Sequence, residues 1–123
     1  MPLVSQTSSI AAIATPQAPS ALGILRCSGP LSAKIFPDLK ARQATLKDYL
    51  SLDNILLDQV VAVFYEEKKS FTGEACLELT CHGNPFILQK ILLDMVARGF
   101  ILAEPGEFTR RAFLNGRLDL AQA

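Results

Sequence analysis

The sequence predicts a single α+β domain, and three observations carry the prediction. The 123 residues, half of them apolar, suffice for one hydrophobic core and not for a second full domain. Short runs rich in isoleucine, leucine and valine alternate with proline and glycine, which is typical of strands joined by turns. One longer segment, residues 85–98, carries its apolar side chains at helical spacing. These patterns indicate strands combined with one long helix and shorter helical segments.

Two strands are predicted near the start of the chain. Residues 10–14 and 22–28 are short runs rich in Ile, Leu and Ala. The loop between them contains Pro16 and Pro19, which restrict its backbone. We therefore expect two strands joined by a stiff connection.

A β-hairpin is predicted in the middle of the chain. Residues 44–52 and 55–65 flank the turn pair Asp53-Asn54, and the second run ends in β-branched and aromatic residues. A further strand is predicted over residues 76–81, where apolar and polar residues alternate. This alternation predicts that Glu78 projects away from the leucines on either side of it.

The main helix is predicted over residues 85–98. Asn84 is a good N-cap, and Pro85 suits the first helical position because that position needs no N–H donor. Gly99 is a natural stop. The apolar stripe of this helix consists of Leu88, Ile91, Leu92, Met95 and Val96.

Shorter elements are predicted on either side of the main helix. Apolar residues at helical spacing over 31–39 indicate a helix that Pro37 should end early. A last strand is expected over 100–103 and a short helix over 107–114. Asp119 can cap a new helix that the sequence leaves unterminated at residue 123, so the domain is expected to span 1–118 and residues 119–123 to begin a truncated helix.

Composition restricts the function classes. Lys plus Arg equals Asp plus Glu, at 12 each, which argues against a surface that holds RNA by phosphate contacts alone. The first nine residues lack a basic segment, and no apolar run approaches the ~20 residues that span a bilayer. These features predict a cytoplasmic protein with no membrane contact. Three cysteines without a secretory signal are expected to be small buried residues.

Two groups of residues allow alternative interpretations. Cys76, Cys81 and His82 could suggest a metal site, but strand positions five apart face opposite sides, so no metal site is expected. His82 and the glycine after it could form an anion site before the main helix, although a tight turn is favoured. Arg110 and Arg111 could contact a ligand or a partner, but adjacent arginines on a short helix are expected to face solvent.

Several sequence blocks carry a resemblance to a known family. They are Ser70-Phe71-Thr72-Gly73-Glu74, Leu77-Glu78-Leu79 followed by His82-Gly83, and the long block from Pro105-Gly106-Glu107-Phe108-Thr109-Arg110-Arg111 through Asn115-Gly116-Arg117-Leu118-Asp119 to Ala123. Residues 10–16 and 23–30 also match, so the resemblance covers nearly the whole chain. In order and spacing these blocks resemble the N-terminal domain of the MnmE (TrmE) family of tRNA-modification GTPases.

The resemblance implies a fold and a function. The fold is a mixed, mostly antiparallel sheet of about five strands with about three helices, similar to the folate-binding core of the glycine-cleavage aminomethyltransferases. The implied role is to bind 5-formyl-tetrahydrofolate and to form a homodimer. The parent protein would be a GTPase that acts with the flavin-dependent MnmG on the wobble uridine of tRNAs. No Gly-Lys-Ser/Thr phosphate-binding stretch occurs in this sequence, so GTP, Mg²⁺ and K⁺ are expected only in an absent GTPase domain.

By resemblance, three residues fall on the family's folate-contacting positions: Arg26, Glu78 and Arg117. A carboxylate suits the N–H edge of a pterin because it accepts two hydrogen bonds in one plane, and guanidiniums suit the formyl oxygen and the glutamate tail. Residues 17–21 depart from the family's glycine- and arginine-containing loop, which predicts a change in ligand affinity. No catalytic residue is expected in this chain. The alternatives are a purely structural dimerisation module and a folate-dependent one-carbon transferase domain.

Overall fold

A computed structural model describes residues 8–15 and 21–116, which fold as one mixed sheet with helices packed against it. The strands are β1 (Ile10–Ile13), β2 (Leu22–Ser28), β3 (Thr45–Leu50), β4 (Leu56–Tyr65), β5 (Cys76–His82) and β6 (Ile101–Leu102). The helices are α1 (Pro85–Ala97) and α2 (Glu107–Leu114), and Pro30–Ala33 forms a 3-10 turn. The predicted α+β class and mixed sheet are confirmed, with a sixth strand of only two residues.

The strands lie in the order β3-β4-β5-β2-β1-β6. Each neighbouring pair is antiparallel except β1 and β6, which are parallel. The predicted hairpin is confirmed as β3 and β4, and it places β3 at one edge of the sheet. The region predicted as a short helix over 31–39 contains only the 3-10 turn, consistent with the proline at position 37.

The core lies between one face of the sheet and α1. Alternate side chains of β2 and β5 point to the same face of the sheet. Leu25, Cys27, Leu77 and Leu79 are therefore fully buried in one cluster with apolar residues of α1. Burying each large side chain stabilises the fold by about 1.5–3 kcal/mol. The helix begins as predicted, with the Asn84 side chain accepting a hydrogen bond from the backbone N–H of Phe86 at 2.8 Å. After α1, Gly99 has a φ of 110°, which favours glycine.

A cluster of polar side chains connects α1 to the hairpin of β3 and β4 through hydrogen bonds. Asp94 accepts hydrogen bonds from the Tyr49 hydroxyl at 2.7 Å, from the backbone N–H of Leu52 at 2.9 Å and from Arg98 Nε at 2.7 Å. Burial by itself would raise the pKa of Asp94, but the hydrogen bonds from Arg98, Leu52 and Tyr49 outweigh it and lower the pKa. The carboxylate is therefore held charged between sheet and helix.

The three cysteines are buried and unpaired, as predicted. Burial, with a smaller contribution from the nearby Asp58 carboxylate, raises the pKa of Cys81 to about 12. Burial likewise raises the pKa of Cys27 far above its ordinary value. The thiols of Cys27 and Cys81 therefore stay protonated near neutral pH and act as packing groups.

The sheet face opposite α1 is only partly covered. One end of this face is covered by α2 and by the segment 66–75, whereas Leu22, Leu46 and Val61 on the rest of it are exposed. Neither helix that the structure describes is long and apolar enough to cross a membrane. The open face carries Arg26 and Glu78, two of the three residues that the sequence resemblance selected.

Candidate ligand-binding site

An ion pair between two neighbouring strands lies at the centre of the open face. Arg26 on β2 and Glu78 on β5 are direct cross-strand partners. Glu78 Oε2 accepts hydrogen bonds from Arg26 Nη2 at 3.0 Å and from Nε at 3.3 Å. Both face away from the core because their neighbours along each strand are buried leucines and a cysteine.

The geometry of this pair leaves hydrogen-bonding capacity for a ligand. Both contacts from Arg26 fall on one oxygen of Glu78, and within residues 8–15 and 21–116 no hydrogen bond reaches the other oxygen, Oε1. The side chains of Arg26 and Glu78 remain 42% and 31% exposed. A half-covered carboxylate beside a guanidinium can accept hydrogen bonds from a ligand's N–H groups while the guanidinium donates to an oxygen.

The pair forms part of an open cleft with a volume of about 340 Å³. Its lining residues combine charged, polar and apolar groups: Arg26, Tyr65, Lys69, Ser70, Phe71, Thr72, Cys76, Leu77 and Glu78. A second cleft of about 370 Å³ lies on the β1 and β6 side, and Arg26 lines both. The arginine is thus accessible from two directions.

The segment 66–75 forms one wall of the first cleft. Ser70 and Thr72 point inward and are buried, and their hydroxyls accept hydrogen bonds from the backbone N–H groups of Gly73 at 3.0 Å and Glu74 at 3.2 Å. The residue between them, Phe71, points outward and is 51% exposed. The internal hydrogen bonds fix this wall, so the exposed ring has a defined place beside the cleft.

A buried ion cluster holds the wall against α2. The Arg111 side chain is 2% exposed, and its Nη1 and Nη2 donate to Glu74 Oε1 and Glu107 Oε2, both at 3.0 Å. Ser28 on β2 donates to the same Glu74 oxygen at 2.6 Å. The prediction that Arg111 faces solvent is therefore wrong. Because α2 turns this position toward the sheet, the guanidinium meets two carboxylates that neutralise it.

Arg110 faces solvent as predicted. Its side chain is 53% exposed and lies 3.6 Å from Glu107 Oε2. Adjacent positions of a helix point about 100° apart, so one arginine of the pair is buried while the other is hydrated. The Arg111 side chain is bound by Glu74 in the cleft wall and by Glu107 in α2. This arrangement does not support the alternative that Arg111 contacts a ligand.

The third residue selected by resemblance, Arg117, lies outside the described residues, as do positions 17–20 of the altered loop. Among the described residues, Asn115 donates from Nδ2 to the Thr72 carbonyl oxygen at 2.9 Å. The end of α2 is therefore tied to the cleft wall. The structure brings Arg26 and Glu78 together, and the role of Arg117 stays a prediction.

The other candidate residues have structural roles. His82 Nδ1 lies 2.7 Å from Asp58 Oδ1, and its backbone N–H donates to Oδ2 of the same carboxylate at 2.9 Å. The N–H of Gly83 donates to the carbonyl oxygen of Ala21 at 3.1 Å, which is the tight turn that the sequence favours. In the part of the chain that the structure describes, no three potential ligands converge on a metal position.

Sequence reasoning missed the aromatic and cationic residues of the cleft wall. Phe71 belongs to the motif that carries the resemblance, but its role was not assigned, and Lys69 and Tyr65 were not singled out. The available signal was local: an aromatic residue between two small hydroxyl residues in a polar turn. Such a residue either enters the core or lines a surface site, and the structure shows the second outcome.

The fold is a small α+β domain with a mixed sheet, and an open cleft lies on one face of that sheet. The sequence model of the N-terminus of the GTP-binding protein TrmE matches residues 9–117, and the chain belongs to this family. The similar proteins are tRNA modification GTPases named MnmE. A relative from Opitutus terrae is 49% identical over 100% of this chain, and one from Sodalis glossinidius is 48% identical over 98%. A relative from Thermotoga maritima is 43% identical over 93%.

The chain spans only part of these relatives. It covers 28% of the length of the Opitutus terrae and Sodalis glossinidius proteins and 27% of the Thermotoga maritima protein. The name of these relatives describes the full-length proteins. What the domain itself binds has to be argued from its own cleft.

Proposed function

We propose that this domain binds 5-formyl-tetrahydrofolate in the cleft over β2 and β5, as the N-terminal part of a GTPase of tRNA modification. The observation that carries the proposal is the Arg26–Glu78 pair, in which one carboxylate oxygen and several guanidinium N–H groups remain available. Without a ligand, a pair of this kind on the open sheet face contributes little to stability, since exposed pairs are worth only about 0–1 kcal/mol. A binding role explains its presence there.

Glu78 and Arg26 would each bind a different part of the ligand. The pterin ring presents neighbouring N–H donors, which the Glu78 carboxylate accepts in the plane of the ring. Arg26, which lines both clefts, donates to an oxygen of the ligand. Arg117, which the sequence resemblance selects, would supply a further cation for the ligand.

A calorimetric titration of the folded chain with 5-formyl-tetrahydrofolate tests the proposal. We expect saturable binding and a rise in thermal stability, because a ligand at 100 times its Kd stabilises the folded state by about 2.7 kcal/mol. Circular dichroism would establish folding beforehand. Absence of both heat and thermal stabilisation at millimolar ligand, with the chain folded, would remove the binding role.

We also propose that the domain pairs with a second copy. The exposed leucines and valine on the open sheet face, Leu22, Leu46 and Val61, would be covered by such a pairing. Sedimentation equilibrium is expected to show a dimer that Leu46→Lys shifts toward monomer. Leu93→Lys is the matched control, because Leu93 is equally exposed but lies on α1, on the other side of the sheet. A monomer throughout the accessible concentration range contradicts the pairing.

The wider function rests on the full-length protein. We propose that residues 1–118 are the folate-binding and dimerisation domain, and that residues 119–123 lead into helical and GTPase regions of the parent. The parent would hydrolyse GTP and act in the cytoplasm with a flavin-dependent partner, MnmG, on the wobble uridine of tRNA. GTP, Mg²⁺ and K⁺ belong to that GTPase region and not to this cleft.

A further inference from the structure

We infer that the cleft wall supplies two further ligand contacts: Phe71 as an apolar platform for a flat ring, and Lys69 as a cation for an acidic tail. The inference rests on the proposed function and extends it, because it names residues that decide which ligands fit. It predicts selectivity for a planar heteroaromatic ring joined to a carboxylate-bearing tail. The two contacts come from one segment, next to the carboxylate on β5.

The case for Phe71 starts from its exposure. Its neighbours Ser70 and Thr72 are anchored inward by hydrogen bonds, so the ring is held out of the core beside the cleft. The exposed apolar surface of the Phe71 ring is unfavourable in water, and a planar ligand that covers the ring removes this surface from water. The carboxylate of Glu78 lines the same cleft, so a ring with an N–H edge can meet both groups at once.

The case for Lys69 starts from charge. The side chain lines the cleft, and no ion pair is found for it among residues 8–15 and 21–116. The carboxylates of Glu74 and Glu107, by contrast, are taken up by Arg111. Lys69 is therefore an exposed positive charge at the cleft that an anionic tail can engage.

The test measures the affinities of two ligands that differ only in the tail. 5-Formyl-tetrahydrofolate carries the aminobenzoyl-glutamate tail, and 5-formyl-tetrahydropterin lacks it. Phe71→Ala should weaken both by roughly 5- to 150-fold, the range for losing one aromatic stacking contact. Lys69→Met should weaken only the folate, by about 2- to 5-fold, and added salt should diminish that loss.

Two matched controls lie on the opposite side of the sheet. Phe86 is 78% exposed on α1, and Phe86→Ala should leave both affinities unchanged. Lys90, exposed on the same helix, serves the same purpose as Lys90→Met. These variants separate a contact in the cleft from a general effect of removing an exposed aromatic ring or a positive charge.

The outcomes distinguish this inference from the proposed function. If the unaltered chain binds neither ligand, the proposed function falls and the inference with it. If the unaltered chain binds and Glu78→Gln lowers the affinity while Phe71→Ala leaves it unchanged, the role of Phe71 as a platform is overturned and the proposed function stands. If Lys69→Met lowers the affinity for both ligands equally, the assignment of Lys69 to the acidic tail is overturned.

Discussion

Replacing Arg111 by methionine lowers the free energy of unfolding by about 3–5 kcal/mol at pH 7. The substitution leaves Glu74 mostly buried without the cation that neutralises it, and it leaves Glu107 with only the half-exposed Arg110 at 3.6 Å. Breaking a buried ion pair from one side is costly because the remaining charge is poorly hydrated and poorly paired. Loss of the contact also weakens the attachment of α2 to the cleft wall, so the substitution should make the segment 66–75 more susceptible to proteolysis.

Urea unfolding at pH 7 measures this loss of stability. Arg110→Met is the matched control, since Arg110 is the neighbouring residue on α2 but is half exposed. It should change the free energy of unfolding by no more than about 0.5 kcal/mol. A loss for Arg111→Met as small as that of the control would contradict the structural role of the buried cluster.

The second large effect is expected at Glu78. Glu78→Gln keeps the shape of the side chain but loses the charge, and it turns one acceptor into an N–H₂ donor that faces the ligand's own N–H groups. We expect the affinity for 5-formyl-tetrahydrofolate to fall by at least about 30-fold, near 2 kcal/mol, the lower end for losing one partner of a buried charged contact. The free energy of unfolding should change little, because the Arg26–Glu78 pair is partly exposed.

Titration calorimetry and sedimentation on the same samples separate the two main interpretations. The binding role predicts lost affinity with unchanged self-association, whereas a purely structural module predicts no ligand effect to lose. Asp38→Asn is the control, because Asp38 forms an ion pair with Lys47 outside the cleft. Full affinity in Glu78→Gln would show that this carboxylate does not hold the ligand.

Local patterns predicted most elements of the fold but not the pairing that forms the site. Alternation in each strand predicts that Glu78 leaves the core, and the resemblance selected Arg26 and Glu78 separately. Their contact depends on the register between β2 and β5, which places these two residues, 52 positions apart in the chain, opposite each other. Tertiary packing sets that register, and no periodicity within either strand determines it.

The buried arginine shows the same limit. Its neighbours along the chain indicate an exposed basic pair, and the carboxylate that neutralises it, Glu74, lies 37 positions earlier. Only the packing of α2 on the sheet brings the two together. Phe71 is a further case, because its exposure depends on the inward anchoring of the residues on either side. Long-range contacts therefore decide which polar residues serve structure and which remain free for a ligand.

A crystal structure of the chain with bound 5-formyl-tetrahydrofolate tests the central claim most directly. We expect the pterin N–H groups at about 2.7–2.9 Å from the Glu78 carboxylate, the spacing of charge-assisted hydrogen bonds. An oxygen of the ligand should accept from Arg26. A folate bound away from β2 and β5, with the Arg26–Glu78 pair undisturbed, would contradict the assignment.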